Sequence, residues 1–113
     1  MEMKNAVPVL SALAHEGRLS IFRTLVQAGP EGLAAGVLGQ AVGVPASTLS
    51  NSLTILGHAG LVASRRDGRS IIYAADYGRM GALLSFLVED CCKGSSGTCD
   101  PSLAEVALKI ACV

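Results

Sequence analysis

The stretch Val37–Val62, VLGQAVGVPASTLSNSLTILGHAGLV, reads as two helices with a sharp turn between them. Leu38 and Val42 share one face of the first helix. Gly43-Val44-Pro45 makes the break, because glycine supplies a helix stop and proline suits the opening of the next helix. In the second helix Leu49, Leu53, Leu56 and Leu61 recur at spacings of three to five, which marks one buried stripe. Ser47, Thr48, Ser50, Asn51, Ser52 and Thr54 make up the other face, all short hydrogen-bonding side chains without a charge. Two readings fit this stretch on its own. One is an ordinary helical hairpin with a solvated Ser/Thr face; the other is a helix-turn-helix whose second helix enters a groove of duplex DNA.

The residues that follow favour the second reading. Leu61–Arg66 starts apolar and turns basic, Asp67-Gly68 is a strong hairpin signal, and Arg69–Ala75 returns as a β-branched strand. Two strands on a tight turn, directly after a helix-turn-helix, predict a winged helix. Arg65, Arg66 and Arg69 lie within five residues at its tip and are three of the chain's 9 basic residues. Clustered guanidinium groups on a protruding hairpin suit phosphates or a narrow minor groove, whereas arginines kept for solubility would serve the bland alternative.

The flanks supply helices. Val7, Leu10, Leu13 and Ala14 fit an opening helix, and Leu19, Phe22, Leu25 and Val26 fit a second that closes at Gly29-Pro30. His15, at their junction, reads as a surface or capping residue. Arg23 reads as a solvated surface residue, and Arg18 is left open between surface and contact. An Ala- and Gly-rich helix from about Leu33 to Val42 leads into the motif. Beyond the wing, Met80, Leu83, Leu84, Leu87 and Val88 follow the i, i+3, i+4, i+7, i+8 pattern of an amphipathic helix, for which core packing is sufficient explanation.

At 113 residues, 50% of them hydrophobic and only 16% charged, the chain is one domain with more apolar surface than a small monomer hides. A homodimer interface is the expected outlet. The predicted fold is mainly α (α+β): a winged helix-turn-helix of about five to six helices with a two-stranded β-wing, dimerised through terminal helices. Its parts are a helix-turn-helix at about 33–60, a wing at about 61–75, a dimer helix at about 76–90, a cysteine loop at 91–99 and a C-terminal helix at about 101–112. No window approaches a membrane span, and the start lacks a basic region followed by a long apolar run. A cytoplasmic location is expected, where four cysteines need not form disulfides.

The order LAHEGRLSIFRTL, VLGQAVGVPASTLSNSLTILGHAGLV and then RRDGRSIIYA resembles the ArsR-type (ArsR/SmtB) winged-helix repressors, from about Leu10 to Leu87. These are dimeric bacterial regulators released from DNA by metal or metalloid ions. The resemblance implies a homodimer on double-stranded operator DNA, with the helix around Met80–Val88 pairing with its copy. It implies DNA contacts from Ser47, Thr48, Ser50, Asn51 and Ser52 on the recognition helix and from Arg65, Arg66 and Arg69 on the wing. Two departures stand out. The family's arsenic-responsive Cys-x-Cys pair falls on Ala34 and Gly36, so that site is absent here. Where the family often has His, Arg or Lys on the recognition helix, this chain has Asn51, Ser52 and Thr54, and Gly32–Ser64 contains no Asp, Glu, Lys or Arg. Base reading then rests on neutral donors and acceptors, and phosphate contact on hydroxyls, backbone N–H groups and helix N-termini.

Cys91, Cys92 and Cys99 lie within nine residues around a Gly/Ser tract, which lets Cys99 fold back onto the pair at little entropic cost. Three thiolates from one side suit As(III) or Sb(III), whose lone pair fills the remaining direction. Zinc wants a fourth ligand, and Cys112 is the candidate within the chain. It follows a helix marked by Leu103, Val106, Ala107 and Ile110, opened by a Ser102…Glu105 capping box, and reads as a bystander. Glu89 and Asp90 at a helix C-terminus disfavour free thiolates, which counts against a peroxide-sensing switch; a bound metalloid displaces the protons itself. Some ArsR-type proteins place their metalloid site in this C-terminal region, and the resemblance extends to that variant.

The expected function is thus a metalloid-responsive transcriptional repressor with As(III) as inducer and no organic cofactor. Sb(III) and trivalent organoarsenicals are the other candidate ligands. A thiol-based redox regulator or a Zn/Cd sensor on the same fold is the alternative. An enzyme is not expected, since the chain shows no Cys-x-x-Cys, phosphate loop or metal-binding His pair.

Overall fold

The computed structural model describes residues 1–88. The cysteine loop at 91–99, the C-terminal helix at about 101–112 and the candidate ligands Cys91, Cys92 and Cys99 lie outside the described residues, as does Cys112.

Two helices open the chain, α1 (Met3–Leu13) and α2 (Glu16–Ala28). Their junction is held by two side chains that face in opposite directions. His15 is the N-cap of α2, where its Nδ1 accepts from the N–H groups of Gly17 and Arg18. Arg18 reaches back and donates from Nε to the Ala12 carbonyl at 2.6 Å, satisfying an end carbonyl of α1. His15 therefore caps, and Arg18 is a contact residue, while Arg23 is exposed.

The inward face of α1 differs from the sequence expectation. Ala6, Val9 and Ala12 are buried, whereas Val7 and Leu10 remain 55% and 41% exposed. The small residues let α1 pack against α2, α4 and α5, leaving larger apolar side chains outside. In α2 the buried residues are Ile21, Phe22 and Leu25, with Leu19 exposed.

A two-residue strand, β1 (Leu33–Ala34), runs straight into α3 (Ala35–Val42), where a longer helix from about Leu33 is the sequence expectation. The chain can pass so close to the sheet because Gly32 has φ +77°; a Cβ there would strike the Tyr73 carbonyl. Gly43 ends α3 in the left-handed region, φ +71°, with its N–H on the Gly39 carbonyl at 2.9 Å. Pro45 is the N-cap of α4 (Ala46–His58), which buries Leu49, Leu53 and Leu56 as expected and packs on α1, α2 and α3.

β2 (Val62–Asp67) and β3 (Ser70–Ala75) form the wing, with Asp67 opposite Ser70. The loop residues are thus Gly68-Arg69, one position later than the Asp-Gly signal suggests. β1 pairs antiparallel with β3, Leu33 opposite Tyr73, so a third short strand extends the expected two-stranded wing in the order β1-β3-β2. The last described helix, α5 (Tyr77–Val88), buries Leu83, and Tyr77 donates from its hydroxyl to the Val26 carbonyl at 2.9 Å. Five helices and a three-stranded antiparallel sheet make up the described residues, a winged helix-turn-helix.

Candidate nucleic-acid interface

α4 has two unlike faces, and their phase follows from the four apolar or small positions that point inward. Leu49, Ser52, Leu53 and Leu56 stand at i, i+3, i+4 and i+7, and all four are buried. Ser52 is therefore not part of the exposed face expected from the sequence. It is only 6% exposed. Its small hydroxyl side chain fills a core position between leucines, where it cannot reach a base edge. Ser47, Thr48, Ser50, Asn51 and Thr54 remain on the exposed face. The Thr54 hydroxyl donates to the Ser50 carbonyl at 2.9 Å, which commits its proton to the helix. Asn51 keeps both a donor and an acceptor, the pair suited to an adenine edge in the major groove.

The three wing arginines are exposed but not equivalent. Side chains on a strand alternate faces. Ser64 is opposite Tyr73, and both line a cleft of about 290 Å³ against Ser50, Thr54 and His58 of α4. Arg66, two residues beyond Ser64, shares that α4-facing side. Arg65 lies on the other side and donates from Nη2 to the Glu31 carbonyl at 3.0 Å. Arg69 stands in the wing loop. Among the described residues neither Arg66 nor Arg69 pairs with a carboxylate, so both charges are available to an anion.

Two residues that the sequence reading did not select join this surface. His58 continues the exposed stripe of α4 at Thr54 + 4, a spacing visible in the sequence. Tyr73 arrives from β3 through its register with Ser64, which no local pattern announces. The arrangement offers neutral hydrogen-bonding groups on a helix, flanked by guanidinium groups on a hairpin. That combination suits groove edges and phosphates respectively. Among the described residues no group of three or more His, Cys, Asp or Glu is placed to hold a metal ion, and no helix is long and apolar enough to cross a membrane.

Comparison with known proteins agrees with this geometry. A family model described as a helix-turn-helix domain matches residues 13–65. The HTH-type transcriptional regulator YgaV of Escherichia coli is 32% identical over 84 residues, which cover 74% of this chain and 83% of that protein. A putative arsenical resistance operon repressor of Halobacterium salinarum is 46% identical over 63 residues, 56% of this chain and 48% of that protein. Among solved structures, a homodimeric winged helix-turn-helix domain from Mycobacterium bovis, a possible ArsR-family regulator, superposes with a TM-score of 0.62 at 30% identity; the match covers 78% of this chain and 82% of that one. The chain spans about half the length of several curated relatives it matches. The similar proteins are transcriptional regulators rather than enzymes. With its α3–turn–α4 motif, its arginine-bearing wing and these relatives, the chain belongs to the ArsR-type family of winged-helix transcriptional regulators.

Proposed function

We propose that this protein is a homodimeric, metalloid-responsive repressor that binds double-stranded operator DNA and lets go when As(III) or Sb(III) is held by Cys91, Cys92 and Cys99. The observation that carries the DNA part is the pairing of the uncharged α4 face with the arginine tip of the wing. Ser47, Thr48, Ser50 and Asn51 meet base edges and sugar–phosphate, while Arg66 and Arg69 neutralise phosphates. The homodimeric relative supports the assembly, as do Met3, Val7 and Leu10 on α1 and Leu87 on α5, large apolar side chains 66%, 55%, 41% and 53% exposed. The protein acts in the cytoplasm, where the thiols stay reduced.

The metalloid part is supported by the spacing of the three cysteines and by the likeness to a putative arsenical resistance repressor. The three thiolates supply a pyramidal donor set, and closing them around one ion constrains the chain immediately after α5. Release then follows if the liganded protein favours a dimer geometry that no longer spans two half-sites.

Titrating the reduced protein with arsenite while following binding to its own promoter DNA tests both parts. One ion per protomer, three thiols consumed and DNA released is the expected result. Cys92→Ser should leave DNA binding intact and abolish release; continued release from that variant would refute the three-thiol site. Zinc uptake with Cys112 recruited, or release by peroxide that reductant reverses, would replace the metalloid reading with one of its alternatives.

A further inference from the structure

From Gly32 to Ser64, the span that holds α3 and α4, a single side chain is ionisable: His58. It is the last residue of α4, it is exposed, and it stands on the reading stripe itself, since Ser47, Asn51, Thr54 and His58 recur at i, i+4, i+7 and i+11. One imidazole therefore decides whether this face is neutral or cationic.

His58 also borders two clefts. The one of about 290 Å³ separates α4 from the wing, and the hydroxyl residues Ser50, Ser64 and Tyr73 line it. The other, of about 250 Å³, lies toward the α1–α2 junction, with Ser11 of α1 and Arg18 of α2 on its walls. The groups facing His58 across these clefts are thus the Tyr73 phenol from β3, Ser64 from β2, Ser11 from α1 and the Arg18 guanidinium from α2, with Arg66 two residues beyond Ser64. No carboxylate lines either cleft. A surface of hydroxyls, an imidazole and guanidinium groups without a carboxylate suits an anion.

We infer that the cleft between α4 and the wing takes a backbone phosphate of the duplex, with protonated His58 as its charged donor. A helix in the major groove and a hairpin against the neighbouring minor groove straddle the sugar–phosphate strand that divides the two, so a phosphate arrives where the cleft opens. The inference rests on the reading of α4 and the wing as a DNA surface. Its sign follows from the charge: phosphate favours the imidazolium, so binding takes up a proton, and affinity is highest on the acid side and lost as pH rises. The recognition helix, built without Lys or Arg, then gains a conditional positive charge.

Binding of the full chain to its own promoter duplex, followed across salt at about pH 6 and about pH 8, tests the site. Going to the lower pH, the wild type should gain about tenfold in affinity per protomer, and its slope of log K against log salt should steepen by about 0.9 per protomer. His58→Gln, which keeps a neutral donor and acceptor, should lose both gains. His15, the chain's other histidine, remains in that variant as the internal control. A pH response and salt slope that the variant shares with the wild type overturn the inference and leave the DNA surface standing. A low-pH gain without a steeper slope also overturns it, because His58 would then meet a base edge instead of a phosphate. Failure to bind the duplex at either pH overturns this site and the DNA reading together. Should the variant fold poorly, the imidazole proton resonances of the wild type decide: the His58 titration midpoint should rise by about one pH unit when the duplex is added, and a midpoint that stays in place overturns the inference.

Discussion

The exposed face of α4 and the wing, which meet at Ser64 and Tyr73, are built from opposite chemistries. From Gly32 to Ser64 the chain has no Asp, Glu, Lys or Arg, while Arg65–Arg69 holds three arginines. A charged face attracts any duplex and loses affinity as salt rises. A face of hydroxyls and one amide has little long-range pull and gains chiefly from hydrogen bonds whose geometry matches one sequence. The division predicts a protein whose affinity is set at the hairpin and whose sequence preference is set on the helix. Affinity should fall with salt more gently than it does for a lysine-rich reader.

The largest expected effect comes from beneath the reading face. Leu56 is fully buried under α4, and Leu56→Ala should cost about 2–5 kcal/mol of stability. Urea denaturation would register this as a lower midpoint with the slope retained. A loss below about 1 kcal/mol would mean that α4 does not depend on its leucine stripe.

Next in size is Asn51→Ala. It should remove about 1–3 kcal/mol of discrimination at one base pair and leave the salt dependence of binding as it was. Uniform weakening across all sequences would instead place Asn51 on the phosphates. Arg66→Ala with Arg69→Ala should do the converse: binding weakens on every duplex, and the slope of log K against log salt falls by about 0.9 for each contact removed. An unaltered slope would take the wing off the DNA. The smallest effect belongs to Arg65→Ala. Because Arg65 lies on the strand face turned from α4, where it donates to the Glu31 carbonyl, the salt slope should stay put, with a stability change of about 0.5–1.5 kcal/mol. A slope change equal to that of Arg66 would show that the bond yields to phosphate.

These contrasts also mark what the sequence discloses. The leucines of α4, the Gly43 stop and the wing strands are local periodicities, and the chain folds as they indicate. Ser52 is misread when residue type is weighed above helical phase: its position falls inside the buried stripe, and its small side chain fits there. In α1 the same preference for large apolar residues selects Val7 and Leu10, while close helix packing selects Ala6, Val9 and Ala12. β1 is too short to alternate, and it exists because β3 offers an edge and Gly32 permits the approach. Arg65 is divided from Arg66 by strand register, which only the folded hairpin fixes. The cysteines of the proposed inducer site are legible in the sequence as a spacing alone.

β1 is two residues long, but it is bonded to the wing at one end of its path and continuous with α3 at the other. The hairpin is thereby tied to α3 and, through the Gly43–Pro45 turn, to the reading helix α4, much as two prongs are fixed to a single handle. Under the proposed function, the quantity that such a two-pronged head leaves for an inducer to change is the gap between the heads of the two protomers. Inserting base pairs between the operator half-sites, one at a time, would then recover binding by the induced protein at some new spacing, like callipers reset to another width.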